Sequence, residues 1–176
     1  MTQAGFIDAT DAPPRATNEI KLYGPEGFAG MRRAGRLAAE CLDMLIPHVV
    51  PGVTTQKIDD MAREFVLSNG ALPACLFYKG YRHTVCTSVN HVVCHGIPGP
   101  KTLKEGDIVN IDVTVIVDGW HGDTSRMYSV GEVKRKAMRL MDVTYEAMMR
   151  GIDAIKPGAR LGDLGSAIQE HAERQR

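Results

Sequence analysis

Two aspartates, Asp112 and Asp123, flank a pair of turn residues at a spacing that can bring their carboxylates together. The turn pair is Asp118-Gly119, which favours a two-residue hairpin loop between strands. In that register Asp123 falls opposite Thr114, two residues beyond Asp112. The two aspartates are then diagonal neighbours on one face of the hairpin, with Cβ atoms roughly 7 Å apart.

Two carboxylates this close on a half-buried sheet repel each other, so either one takes up a proton or a cation sits between them. Carboxylate oxygens suit divalent metals, and two ions about 3.5–4 Å apart can share a bridging carboxylate. The alternative is a solvated pair on the outer face of an edge hairpin, with no role in chemistry. A bulge in either strand would also separate the two side chains.

A histidine at a turn is the second element of the sequence that can do chemistry. His95 lies in the string CHGIP at residues 94–98, where glycine and proline predict a turn at a strand end with an accessible imidazole. A neutral imidazole there can hydrogen-bond a substrate amide or transfer a proton. A loop histidine without a role is the alternative.

Thiols and phenol rings form a third group, which contains Cys75, Tyr78, Tyr81 and Cys86. If they line a concavity, they make a mostly apolar pocket that tolerates sulfur. Ordinary packing in the core and at its rim is the alternative. A zinc or redox site built on Cys86 and Cys94 is disfavoured, because the spacing matches no common zinc pattern and supplies only two ligands.

The segment from residue 107 to residue 130 predicts the hairpin that carries both aspartates. Its first strand alternates with a period of two, which separates two faces. One face carries Val109, Ile111, Val113, Val115 and Val117, and the other carries Ile108, Asn110, Asp112, Thr114 and Ile116. Shorter strands rich in valine and threonine are predicted at residues 84–89 and 92–97.

Apolar residues at a spacing of three to four predict four helices, at about residues 25–46, 54–69, 132–155 and 161–176. Residues 1–20 are polar and are interpreted as a flexible leader. The pattern predicts an α+β fold in which helices pack on one face of an antiparallel sheet. The predicted stripe of the first helix is Met31, Ala34, Leu37, Ala38, Cys41, Leu42 and Leu45, and that of the third is Val133, Ala137, Leu140, Met141, Thr144, Met148, Ile152 and Ile155.

Composition narrows the class of protein. With 176 residues, 44% of them hydrophobic, the chain suits one domain with a real core. Because 21 Lys and Arg balance 21 Asp and Glu, no overall attraction to nucleic acid or to an anionic membrane is expected. No apolar run reaches the roughly 18–20 residues that span a bilayer. Cysteines without a CxxC pair, and no secretory signal, predict a reduced, cytoplasmic protein.

Four longer strings carry a family resemblance. They are ACLFYKGY at residues 74–81, CHGIP at 94–98, GDIVNIDVT at 106–114 and DGWHGDTSRM at 118–127. Together they resemble type I methionine aminopeptidase, of peptidase family M24, and the similarity extends from about residue 20 to the C-terminus. The last two strings are long and specific. They therefore favour a chemical role for Asp112 and Asp123 over the alternative of a solvated pair without a role.

The resemblance implies a fold, a reaction and partners. The fold would be the pita-bread (creatinase/aminopeptidase-like) architecture, of which residues 21–176 form the N-terminal part. The reaction would be removal of the N-terminal methionine from nascent proteins whose second residue is small, by metal-activated water. The cofactors would be two divalent ions of cobalt, manganese, iron or zinc. The partners would be nascent polypeptide N-termini, with docking at the ribosome plausible for the family.

The same resemblance implies roles for individual residues. Asp112 matches the metal-chelating aspartate and Asp123 the metal-bridging aspartate. His95 matches the catalytic histidine that contacts the scissile peptide or its intermediate. The methionine side chain would lie against Cys75, Tyr78, Tyr81 and Cys86.

The sequence departs from the family pattern in one respect. The family needs one further histidine and two glutamates as ligands, and a second active-site histidine, all from its C-terminal half. This sequence ends before these residues. His171 lacks the flanking glycines of the family's histidine ligand, so it is not assigned to that role. The alternative is therefore a catalytically inactive, truncated relative that binds peptides or nascent chains. The enzyme is favoured, because a binding module has no need for Asp112, Asp123 and His95 together.

Overall fold

The computed structural model describes residues 22–175, so the predicted leader at residues 1–20 lies outside the described residues. Its helices are α1 (Pro25–Leu45), α2 (Thr55–Ser68), α3 (Arg135–Asp153) and α4 (Leu161–Arg174). Its strands are β1 (Leu72–Pro73), β2 (Val85–Val89), β3 (Ile108–Val117) and β4 (Trp120–Ser129). The chain divides after Val130 into two compact units.

The central strand of the sheet is β3, which pairs antiparallel with β4 on one edge and with β2 and β1 on the other. The predicted hairpin register is confirmed, since Thr114 lies opposite Asp123 and the pairing runs without a bulge over both strands. Asp118 and Gly119 both have positive φ, 50° and 81°. This is the conformation of the tight turn that matches the twist of the two strands.

The core lies on one face of this sheet, beneath α1 and α2. Val109, Ile111, Val113 and Val115 are fully buried there, as the alternation predicts, whereas the opposite face of β3 is half-buried. Thr54 caps α2 by accepting a hydrogen bond from the Lys57 N–H at 3.1 Å. The fold of this unit is therefore the predicted one, with helices packed on one face of an antiparallel sheet.

One residue of the predicted α1 stripe is misplaced. Met31 is exposed, whereas the glycines at 27 and 30 are buried at that end of the helix. The reason is Trp120, because a Cβ at Gly30 would overlap its indole ring. At this end of α1 the buried face therefore contains Gly27 and Gly30, which leave room for the Trp120 ring, and Met31 lies outside that face.

The strand predicted at residues 92–97 is wrong. After β2 the chain turns at Asn90, whose φ is 54°, and the Asn90 amide oxygen accepts the Ile108 N–H at 3.0 Å. The segment that follows is irregular, and Val93 is 93% exposed. A short valine run predicts a strand only where a neighbouring strand pairs with it. The two-residue strand β1 is too short to give such a pattern and was not predicted.

The second unit is the helical hairpin of α3 and α4. The two helices approach closely at Gly151, where an added Cβ would lie 2.7 Å from Ile168. Ala147 and Gly151 are the buried residues of α3, so the predicted stripe of large apolar residues is wrong for this unit. Leu140, Met148, Ile152 and Ile155 are exposed. Small residues on α3 make the contact because they let the second helix approach.

Among the described residues, no helix combines the length and apolarity that crossing a membrane requires.

Candidate metal and peptide site

The carboxylates of Asp112 and Asp123 share the face of the sheet opposite the core. Asp112 is half-buried on β3 and Asp123 is exposed on β4. Burial raises the pKa of Asp112, the negative charge of Asp123 raises it further, and the His95 imidazole acts in the opposite direction. The two carboxyl groups therefore interact directly, as the register predicts.

A thiol from the neighbouring strand lies beside this pair. Cys86 on β2 is directly opposite Asp112 in the sheet register and is buried. Burial raises the pKa of Cys86, and the charge of Asp112 and the thiols of Cys75 and Cys94 raise it further, while a hydrogen bond with Tyr81 lowers it. Cys86 is therefore protonated at neutral pH and contributes a soft, weakly polar surface.

A second thiol reaches the site from the segment after β1. The Ala74 N–H donates to the Thr114 carbonyl oxygen at 2.9 Å, which ties this segment to β3 next to the aspartates. Burial raises the pKa of Cys75, and the charges of Asp112 and Asp123 raise it further against the effect of hydrogen bonding with Thr114. The structure thus brings both predicted thiols to the carboxylate pair.

His95 lies in the loop after β2, with a φ of 55° that is uncommon for a residue with a side chain. The neighbouring Gly96 fixes this loop. Its carbonyl oxygen accepts the Thr87 N–H at 2.7 Å, and its N–H donates to Ser88 Oγ at 3.1 Å. A Cβ at residue 96 would overlap the Thr87 carbonyl oxygen, so this approach requires glycine. The imidazole of His95 is exposed and close enough to influence Asp112.

The two predicted tyrosines differ in placement. The Tyr81 hydroxyl donates to the Val85 carbonyl oxygen at 2.8 Å and lies 3.4 Å from Cys86 Sγ. Tyr78 is exposed, and the Lys79 ammonium lies 5.5 Å from the centre of its ring. The structure therefore joins Tyr81 to the Cys86 thiol, whereas the Tyr78 ring is exposed beside Lys79.

The donor chemistry of the pair fits a divalent cation. Carboxylate oxygens are hard ligands. Burial and then the charge of Asp123 raise the pKa of Asp112, and a cation between the two carboxylates would favour their ionised forms. Within residues 22–175, no three His, Cys, Asp or Glu side chains are grouped so that they could hold a metal ion. The described residues therefore supply part of a coordination shell.

The sequence of residues 29–176 matches metallopeptidase family M24. The chain belongs to this family. Membership in a metallopeptidase family implies divalent metal. M24 proteins share the pita-bread architecture, and this chain has a part of it.

Within this family, the chain is similar to methionine aminopeptidases. It is 59% identical to methionine aminopeptidase from Rickettsia prowazekii over 155 residues, which are 88% of this chain and 60% of that protein. The crystal structure of that relative superposes with a TM-score of 0.88 and covers 89% of this chain and 63% of the other. The structure of methionine aminopeptidase from Thermotoga maritima is 37% identical, with a TM-score of 0.86 and the same coverage. The M24 chain thus spans about three fifths of the length of the curated relatives it matches.

One group near the site escaped prediction from the sequence. Asp59 of α2 is fully buried and bonded to the segment that carries Tyr81. Its spacing from Arg63 is that of an ordinary surface ion pair on a helix. The available signal was its place beside Ile58 and three residues before Ala62, on the apolar stripe of α2.

Proposed function

We propose that this chain carries part of a methionine aminopeptidase site, which removes the N-terminal methionine from nascent proteins with a small second residue in the cytoplasm. Residues 21–176 would form the N-terminal part of the pita-bread aminopeptidase domain. The observation that carries the proposal is the cluster on the open face of the sheet. There the carboxylate of Asp123, the exposed imidazole of His95 and the thiols of Cys75 and Cys86, each from a different segment, lie within interaction range of Asp112.

Asp112 and Asp123 would hold the divalent metal, with two ions of cobalt, manganese, iron or zinc in the complete site. The chemistry that a bound divalent cation supplies is polarisation of the scissile carbonyl and activation of the attacking water. His95 would hydrogen-bond the scissile peptide, because its imidazole is exposed and its loop is fixed by Gly96. A peptide N-terminus would approach from the exposed side of this cluster.

Specificity would come from Cys75, Tyr78, Tyr81 and Cys86. The two thiols are held in the protonated form at neutral pH, and the Tyr81 hydroxyl is already occupied by the Val85 carbonyl oxygen. This leaves a surface of sulfur and aromatic carbon with few free hydrogen-bonding groups. Such a surface accepts the thioether of methionine, which is soft and apolar, better than a charged side chain.

The test is metal-dependent release of methionine from the peptide Met-Ala-Ser. The 176-residue protein, stripped of metal, would be assayed with Mn²⁺, Co²⁺ or Fe²⁺ beside Asp112→Asn. Asp118→Asn is the matched control, because Asp118 is exposed in the turn of the same hairpin and pairs with Arg33. With the C-terminal part of the Rickettsia prowazekii relative added, we expect release that Asp112→Asn abolishes and Asp118→Asn leaves unchanged. Equal release by all three proteins would contradict the assignment of Asp112.

A second function is favoured by one observation. Because the described residues hold only two carboxylate ligands in one place, the chain by itself fits a peptide- or nascent-chain-binding module. Adding the C-terminal part of the Rickettsia prowazekii relative separates the two functions. Restored, metal-dependent release identifies a component of the peptidase site. Binding of Met-Ala-Ser that is indifferent to metal, without release, identifies the binding module.

A further inference from the structure

Asp59 is a fully buried acidic side chain that the proposed chemistry does not use. Its Oδ1 accepts the backbone N–H groups of Thr84 at 2.7 Å and Val85 at 3.0 Å, at the point where β2 begins. Burying a carboxylate is unfavourable unless donors surround it. The position of the start of β2 is therefore coupled to this one side chain of α2.

The other oxygen of Asp59 has two further partners. Arg63 Nη2 lies 3.0 Å from Oδ2, and His83 Nδ1 lies 3.3 Å from it. Arg63 Nε also donates to Thr84 Oγ1 at 3.3 Å. We call Asp59, Arg63, His83 and Thr84 the Asp59 clamp. It ties the segment before β2 to α2 by side chains as well as by backbone.

The clamp leads directly to the candidate pocket. The His83 ring packs edge-on against the Tyr81 ring, with centroids 5.6 Å apart. The Tyr81 hydroxyl in turn bonds Val85, which the clamp also holds, and contacts Cys86 Sγ. Any movement of the start of β2 would therefore move both Tyr81 and Cys86.

The segment that the clamp holds is an irregular loop, which is tied to β3 at Ala74 and is otherwise closed by backbone hydrogen bonds among its own residues 75–81. Residues 74–84 between β1 and β2 form a loop in which Phe77 and Lys79 take positive φ, 69° and 48°. Such conformations are unfavourable for residues with side chains and persist only where the surroundings impose them. A loop of this kind needs an anchor if its side chains are to hold one geometry.

We propose that the Asp59 clamp is a positioning device that holds Tyr81 and Cys86 in place as one wall of the pocket for an apolar, sulfur-containing side chain. The link to the pocket rests on the proposed function, whereas the positioning of Tyr81 and Cys86 does not. Asp59 and Arg63 touch no substrate in this scheme. They act through Tyr81 and Cys86.

The test uses cysteine alkylation, because the chain carries its own references. Cys41 is buried on the core face of α1 and reports opening of the whole unit. Cys94 is exposed and reports the reactivity of a free thiol. Iodoacetamide labelling of each cysteine would be followed by peptide mass spectrometry in the wild type and in Asp59→Asn. We expect Cys86 to react about tenfold faster in the variant, through local opening, with Cys41 and Cys94 unchanged. Parallel acceleration of Cys86 and Cys41, or no acceleration of either, would overturn the proposal.

Two milder variants keep the test usable if Asp59→Asn fails to fold. Arg63→Gln removes the charge that faces Asp59, and Arg63→Lys restores it, so Cys86 should react faster in the first and near the wild-type rate in the second. Asp43→Asn is the matched control, since it breaks the 2.7 Å pair with Arg126 away from the clamp. Equal Cys86 rates in Arg63→Gln and Asp43→Asn would overturn the proposal.

Activity provides the second readout, with the complemented enzyme described under the proposed function. There Arg63→Gln should raise KM for Met-Ala-Ser about fivefold and change kcat less than about twofold, because the pocket and not the metal site is displaced. An unchanged KM would overturn the link to substrate. If no activity is found in the wild type, the proposed function fails, and the labelling result still decides whether the clamp positions Tyr81 and Cys86.

Discussion

On the core face of the β3–β4 hairpin, Ile111, Val113 and Val115 have no exposed surface, whereas on the other face Asp112 and Thr114 are half-buried. The same backbone and the same ten residues of β3 supply both faces. The core face packs against α1 and α2. The other face carries the carboxylates and meets the thiols.

This difference in burial assigns the two faces of β3 to different tasks: one face stabilises the fold, and the other carries the candidate site. Because side chains alternate across a strand, each core residue is followed by one that is free to serve the site. The rigid, β-branched core face holds the backbone, so the carboxylates keep their register without contributing to packing. Changes on the core face should therefore cost folding free energy, and changes on the site face should cost ligand binding.

The largest expected effect is on the core face. Ile111→Ala should lower the free energy of unfolding by about 3 kcal/mol, because it removes buried methyl groups and leaves a cavity. Ile116→Ala, on the opposite face of the same strand, is the control and should cost about 1 kcal/mol. Urea denaturation of both variants measures the contrast. Equal losses of unfolding free energy in the two variants would show that the core face does not contribute more to stability than the site face.

A smaller effect is expected from one added methyl group. Gly122→Ala would push a Cβ into the backbone of α1 at Ala34, and we expect a loss of about 2 kcal/mol from overpacking. Gly35→Ala is the matched control, because nothing lies within 4 Å of the added Cβ and alanine favours a helix. Thermal unfolding of the two variants should move in opposite directions. A neutral Gly122→Ala would mean that α1 is free to shift on the sheet.

The smallest effect is on the site face and has the opposite sign. Burial, and then the charge of Asp123, raise the pKa of Asp112, so the folded state disfavours the ionised carboxyl group and loses stability as pH rises through that pKa. With a chelator present at pH 7, Asp112→Asn should therefore raise the free energy of unfolding, by less than about 1 kcal/mol because the group is half exposed. This gain in unfolding free energy should vanish at a pH below 3.8, the ordinary pKa of an aspartate. A variant that is less stable than the wild type in urea unfolding at pH 7 would show that the ionised Asp112 does not destabilise the folded state.

Prediction from the sequence succeeded where the signal was local. The hairpin register followed from Asp118-Gly119 and from the alternation in β3, because a two-residue turn allows one pairing. The bounds of α1 followed from apolar spacing. In each case residues close in sequence decide the structure.

It failed where distant contacts decide. The valine run at residues 92–97 forms no strand, because no neighbour pairs with it. Met31 lies off the core because Trp120, far along the chain, fills the space beside Gly27 and Gly30. From the sequence, Asp59 and Arg63 resemble a surface ion pair on a helix, and only the structure shows that β2 begins at Asp59.

The sequence by itself determined the strand that carries the aspartates, the face they share and the family to which the chain belongs. Only the tertiary structure decided that Cys75, Cys86 and His95 meet them, and that Asp59 holds the wall on which Cys86 lies. The physical reason is range. Turn geometry and side-chain alternation act within one hairpin, whereas the site forms only when the pairing of β1 and β2 with β3 brings separate segments of the chain together.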